Sequence, residues 1–154
     1  DKLGILIDAD EVGIEKRISE INGILKKVGI EVEFKYINEF QKDIKNDIEI
    51  ACHILNIDDK GSLDNILKTI AKGKSEYADC LKAWKECLED KGESVSDTIF
   101  TKFWVNNYLR FDTCTKKEQK QSSKKCNFEK ALEKDTWDFE HKSLKSLKFF
   151  LKMF

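Results

Sequence analysis

Five cysteines, two histidines and two short acidic runs carry most of the chemistry this sequence offers. Cys80 and Cys87 lie in the stretch Tyr-Ala-Asp-Cys-Leu-Lys-Ala-Trp-Lys-Glu-Cys, residues 77–87, whose spacing predicts a helix with both thiols on one face. Seven residues at helical rise separate them by about 10.5 Å along the axis. Bonded cysteines bring their Cα atoms within about 7 Å, so these two cannot pair with each other in an intact helix. Cys114 and Cys126 bracket a polar, basic segment, residues 115–125, that has no apolar residue to hold it down. Bridges from the 75–91 helix to Cys114 and Cys126 would tether that segment and place the chain in an oxidising, extracellular setting. The pairing within this set stays open. Cys52, embedded in Ile48-Glu-Ile-Ala-Cys, is the expected unpaired thiol. No CxxC and no Cys/His spacing of the zinc type occurs.

The remaining candidates are weaker. His53 follows Cys52 directly, and neighbours on a helix point about 100° apart, so they form no nucleophile–base pair. There is no P-loop, no G-x-S-x-G and no H-E-x-x-H. The expectation is a protein that is not an enzyme and has no cofactor and no metal. Asp8-Ala-Asp-Glu-Val-Gly13 and Asn56–Leu67 each approach a calcium-loop pattern, but Ser19 and Leu67 stand where the bidentate Glu is needed. They read as a helix N-terminus and a turn. Lys116, Lys117, Lys120, Lys124 and Lys125 form a basic cluster suited to an anionic partner such as a sulfated glycan. Nucleic acid is not expected at a sequence pI near 6.2 with no reader motif.

Few sequence features could position these residues other than helices. Charged residues make up 37% of the chain, proline is absent, and net charge is −1. Proline is excluded from helix interiors because it lacks an N–H and clashes with the preceding turn. Ile14, Ile18, Ile21, Leu25 and Val28 form a one-sided helix ending at Gly29. Ile37, Phe40, Ile44, Ile48, Ala51 and Leu55 continue the helical spacing. Ser62 and Ser75 are N-caps for helices that follow, and Ser96 or Asp97 starts another. Trp137, Leu144, Leu147, Leu151 and Phe154 lead a last helix to the terminus, with Lys142, Lys145, Lys148 and Lys152 along one side. Residues 1–60 hold 14 acidic and 9 basic residues, whereas residues 113–154 hold 6 and 11. The expected fold is all-α: one compact bundle of about six helices over 1–154, stapled by disulfides. No apolar run is long enough to span a membrane. The lack of an initiator Met fits a chain already processed for secretion.

The Tyr77–Cys87 helix and the Cys114…Cys126 segment resemble small helical salivary proteins of blood-feeding mosquitoes. The nearest are the neutrophil-stimulating salivary protein and the helical C-terminal region of the 30-kDa allergen (antiplatelet) family. That resemblance implies a secreted, non-enzymatic protein that binds a host protein, receptor or glycan and modulates haemostasis or immune cells. The alternative is a carrier of a small hydrophobic ligand, with Phe100, Phe103, Trp104, Tyr108 and Trp137 lining a cavity.

Overall fold

A computed structural model describes residues 1–120 and 128–154. These divide into two compact units, Asp1–Ile66 with Glu140–Phe154, and Leu67–Phe139. The expected all-α bundle is overturned. The first unit is built on a three-stranded mixed sheet of order β1-β3-β2, and the fold is α/β.

In the first unit, β1 (Lys2–Asp8) leads into α1 (Ile14–Lys27), and β2 (Gln41–Asp43) turns into β3 (Ile48–Leu55). β1 and β3 run parallel, from Lys2 opposite Glu49 to Asp8 opposite Leu55. β2 is antiparallel to β3. The helix expected over 37–55 is therefore a hairpin. Ile44, Ile48, Ala51 and Leu55 fit a helical stripe by spacing alone. Yet Ile-Glu-Ile-Ala-Cys-His-Ile-Leu is a central strand buried on both faces, and such strands read as continuous apolar runs. Asp43, itself buried, closes the hairpin turn. Its carboxylate accepts the Lys45 N–H at 3.0 Å and the Asn46 side-chain amide at 2.7 Å. These bonds, led by that of the Asn46 side chain, hold Asp43 below the usual carboxylate range.

One face of the sheet carries Ile50, Cys52 and Ile54, packed with Ile21 and Leu25 of α1 and with Val32 and Phe34. Of the stripe expected for residues 14–28, Ile21 and Leu25 are buried and Ile14 and Ile18 partly so, whereas Val28, just past the end of α1, is exposed. Cys52 is a free thiol in this core, and burial pushes its pKa up to about 11. The opposite face carries Ala51 and His53. There α8 (Lys145–Leu151) lays Phe150 over the His53 ring at 5.4 Å. Gly4 of β1 leaves the room for this: a Cβ there would lie 3.0 Å from the Phe154 ring and 3.2 Å from that of Phe150.

In the second unit, α2 (Leu63–Ile70), which begins in the first, is followed by α3 (Glu76–Asp79), α4 (Leu81–Glu89), α5 (Asp97–Asn107), α6 (Lys116–Lys120) and α7 (Phe128–Leu132). Ser75 and Ser96 cap α3 and α5 as expected, their hydroxyls accepting the N–H groups of Ala78 and Ile99. The single helix expected over 75–91 is interrupted at Cys80. Tyr108–Asp112 extends α5 as a π-helical turn. Trp104 stacks on Tyr108 at 5.2 Å, and Tyr108 meets Trp137 edge-on at 5.0 Å. The Tyr108 hydroxyl donates to the Thr136 carbonyl at 2.8 Å, and the Trp137 indole donates to Ala131 at the same distance. Trp137 belongs to an isolated bridge with Ala71, not to the last helix.

The expected staples from the 75–91 helix are absent, although Cys114 itself is disulfide-bonded. No disulfide joins two described cysteines: Cys80 and Cys87 are exposed free thiols, so neither tethers the Cys114…Cys126 segment. Both sit on the outer side of α3–α4, facing solvent. Cys114 is buried, and Cys126 lies outside the described residues. Among the described residues, no helix is long and apolar enough to cross a membrane.

Candidate functional site

The carboxyl ends of β1 and β3 lie side by side, and each is followed by an acidic loop and a helix. In parallel α/β sheets this edge is where ligands bind, because connections diverge there and helix N-termini point toward it. The β1–α1 loop supplies Asp8, Asp10 and Glu11, and the β3–α2 loop supplies Asp58 and Asp59.

The two loops are laced together. Asp10 and Gly61 exchange backbone hydrogen bonds, Asp10 N–H to Gly61 O at 2.7 Å and Gly61 N–H to Asp10 O at 2.8 Å. The side chains then cross. Asp8, at the end of β1, accepts the Leu63 N–H at the start of α2 at 2.9 Å. Asp59, in the loop after β3, accepts the Ile14 N–H at the start of α1 at 3.1 Å. Each loop thus caps the helix of the other, placing negative charge where helix dipoles favour it.

This lacing demands unusual backbone. Asp10, Asp58 and Asp59 have φ of 50°, 50° and 82°, three of the five non-glycine positive-φ residues described. Aspartate tolerates this region better than most side chains, and such conformations gather at functional sites. Gly13 has φ of 84°, and a Cβ there would lie 2.7 Å from Asp59 Oδ2. Only glycine lets that carboxylate reach α1.

Arg17 balances the charge. Its Nη2 pairs with Asp10, its Nη1 with Glu20 at 2.7 Å, and its Nε donates to the Asp8 carbonyl at 3.0 Å. Glu20 first, then Asp10, hold the guanidinium more firmly protonated than usual. A depression of about 360 Å³ adjoins the edge, its apolar Ile14, Ile18 and Ile37 joined by Tyr36, Glu15, Lys35 and Asp59. Tyr36 is largely exposed beside it.

Other chemical residues stand elsewhere. His53 is buried on β3, where its Nδ1 lies 2.8 Å from Asn38 Oδ1. The Asn38 amide donates to Ser146 Oγ at 2.8 Å, which leaves its oxygen to accept from His53 Nδ1–H. Burial lowers the His53 pKa. Cys52 and His53 point to opposite faces of the strand, so they form no nucleophile–base pair here either. Lys116, Lys117 and Lys120 are exposed on α6, and Lys124 and Lys125 lie outside the described residues. Phe103, named for a ligand cavity, is exposed, while Trp104, Tyr108 and Trp137 pack ring against ring. Among the described residues, no three His, Cys, Asp or Glu side chains are gathered as a metal centre.

The acidic runs are visible in the sequence but fail the calcium-loop pattern they approach. The usable signal was different: a short apolar stretch, Lys-Leu-Gly-Ile-Leu-Ile, running into Asp-Ala-Asp and then, past a glycine, into an amphipathic helix. That is a β-loop-α unit with carboxylates at its ligand-facing end.

These features define an α/β protein with a laced carboxylate edge. Residues 1–154 match DUF3226, a protein of unknown function, and the chain belongs to that family. No curated protein and no solved structure matches it. The family and the mixed sheet replace the resemblance to mosquito salivary proteins. The expected insect source and secretion lose the support they drew from that resemblance.

Proposed function

We propose that the carboxylate edge of the first unit binds a phosphorylated ligand through a divalent cation. The observation that carries this reading is the Asp8-Ala-Asp10 run at the carboxyl end of a parallel strand, facing a second acidic loop across the Asp10–Gly61 bridge. Magnesium keeps several waters and is held by one or two carboxylates plus phosphate oxygens rather than by an all-protein cage. Asp10 is the natural first ligand, because its side chain is half exposed and its backbone is fixed on both sides. Arg17 is placed to meet phosphate with the same guanidinium that now meets carboxylate, since its planar fork suits both. The depression beside Asp59, with Ile14, Ile18 and Ile37 in its lining and Tyr36 at its rim, would seat the organic part of the ligand.

The test is calorimetric titration of the full chain with Mn²⁺ alone, and then with Mn²⁺ and inorganic pyrophosphate together. Binding is expected to be tighter when both are present, and Asp10→Asn is expected to weaken it at least tenfold with the far-UV spectrum unchanged. Asp10→Asn leaves both helix caps in place, so equal affinity in that variant would refute the reading.

A further inference from the structure

The second unit carries an apolar surface that its own elements leave uncovered. Among α4 residues none is fully buried. Trp84 is 37% exposed, and its ring meets that of Phe103, 44% exposed, at 5.6 Å. Ile99, one turn before Phe103 on α5, is 49% exposed and extends the same patch. Trp84 is thus a large aromatic side chain that α5 covers only in part.

The residues in line with Trp84 identify what fits there. Cys80 has right-handed helical backbone, φ −62° and ψ −20°, and the Trp84 N–H bonds back to its carbonyl at 3.3 Å. The helical course therefore continues through the break between α3 and α4. At 100° per residue, Glu76, Cys80, Trp84, Cys87 and Lys91 form one stripe, and all are exposed.

This stripe is complementary to itself when reversed. We propose that the outer face of α3–α4 is the twofold interface of a homodimer, with the axis passing between Ala83 and Trp84. Antiparallel alignment about that point sets Glu76 opposite Lys91 of the partner subunit, one ion pair at each end. It sets Cys80 opposite Cys87 of the partner subunit. It sets Trp84 against Ala83 of the partner subunit, a large side chain over a small one. Charge, size and thiols all match in the same register, and a twofold interface requires such self-complementarity. Trp84 and Phe103 would form its buried centre, as aromatic anchors do in other interfaces.

Sedimentation velocity on the full chain over a concentration series is expected to show a monomer–dimer equilibrium. Trp84→Glu is expected to raise the dissociation constant at least about tenfold without changing the helical spectrum. Glu76→Lys should weaken the dimer, and adding Lys91→Glu should restore it. Copper–phenanthroline oxidation should yield a covalent dimer that disappears in Cys80→Ser and equally in Cys87→Ser, because each thiol faces the other kind. A chain that stays monomeric at every concentration would overturn the proposal. So would a dimer indifferent to Trp84→Glu, or one cross-linked as well through either thiol alone.

Discussion

The two units hold themselves together by different means. The first buries a strand on both sides, with Ile50, Ala51, Cys52 and Ile54 fully inaccessible, and its polar groups do their work at the strand ends. The second has no sheet of its own among the described residues and depends on aromatic rings whose polar atoms reach carbonyls: Tyr108 to Thr136, Trp137 to Ala131. In the first, apolar packing and polar function are separated in space. In the second, each large side chain does both. This difference explains why the candidate ligand site falls on the first unit, where the loops are free to carry charge without disturbing the core.

The comparison is most sharply tested at Trp137. Trp137→Ala removes a ring that is 2% exposed and strands an acceptor, and is expected to cost about 3–5 kcal/mol in chemical denaturation. A cost under about 1 kcal/mol would mean that the ring cluster is not the centre of the second unit. Gly13→Ala probes the first unit at its edge rather than its core. Its strained φ and the close Asp59 oxygen predict a loss of more than about 1 kcal/mol. An unchanged denaturation midpoint would show that the start of α1 does not depend on that carboxylate.

The gentlest effect is a pH slope. Burial lowers the His53 pKa, so the unfolded chain binds the proton more readily than the folded one. The stabilisation is present above the unfolded value of about 6.5 and declines as pH falls through it toward the folded value. Stability measured from pH 7 to pH 5 should therefore fall. The fall should be shallower in His53→Gln, and parallel curves would remove His53 as its source.

The helical parts of this fold were legible because their signals are local. The Ser75 cap, the helix start at Ser96 or Asp97 and the stripe from Ile14 to Leu25 state their structure within a few residues, and only Val28 at the stripe's end departs from it. The sheet was not legible, since β3 owes its strand state to β1, which is paired with it from more than forty residues away. Its apolar run satisfied the helical period equally well, and nothing nearby decided between them. The carboxylates at 8, 10 and 59 were visible as residue types, but their meeting depends on that same long-range pairing. Cys80 and Cys87 were not legible for a related reason: their places in the chain suggest a tether, whereas both are exposed on a helix.

The crossed capping at the carboxylate edge has a consequence for observation. The amides of Ile14 and Leu63 each depend on a carboxylate from the opposite loop, so each reports on a residue distant in sequence. A cation that draws Asp8 toward itself must loosen the Leu63 amide, and one that draws Asp59 must loosen that of Ile14. Hydrogen exchange at these two amides would then speed up on loading, against the general slowing that ligands produce elsewhere. The two helix starts act as paired sensors, and which of them quickens tells which loop the ligand has engaged.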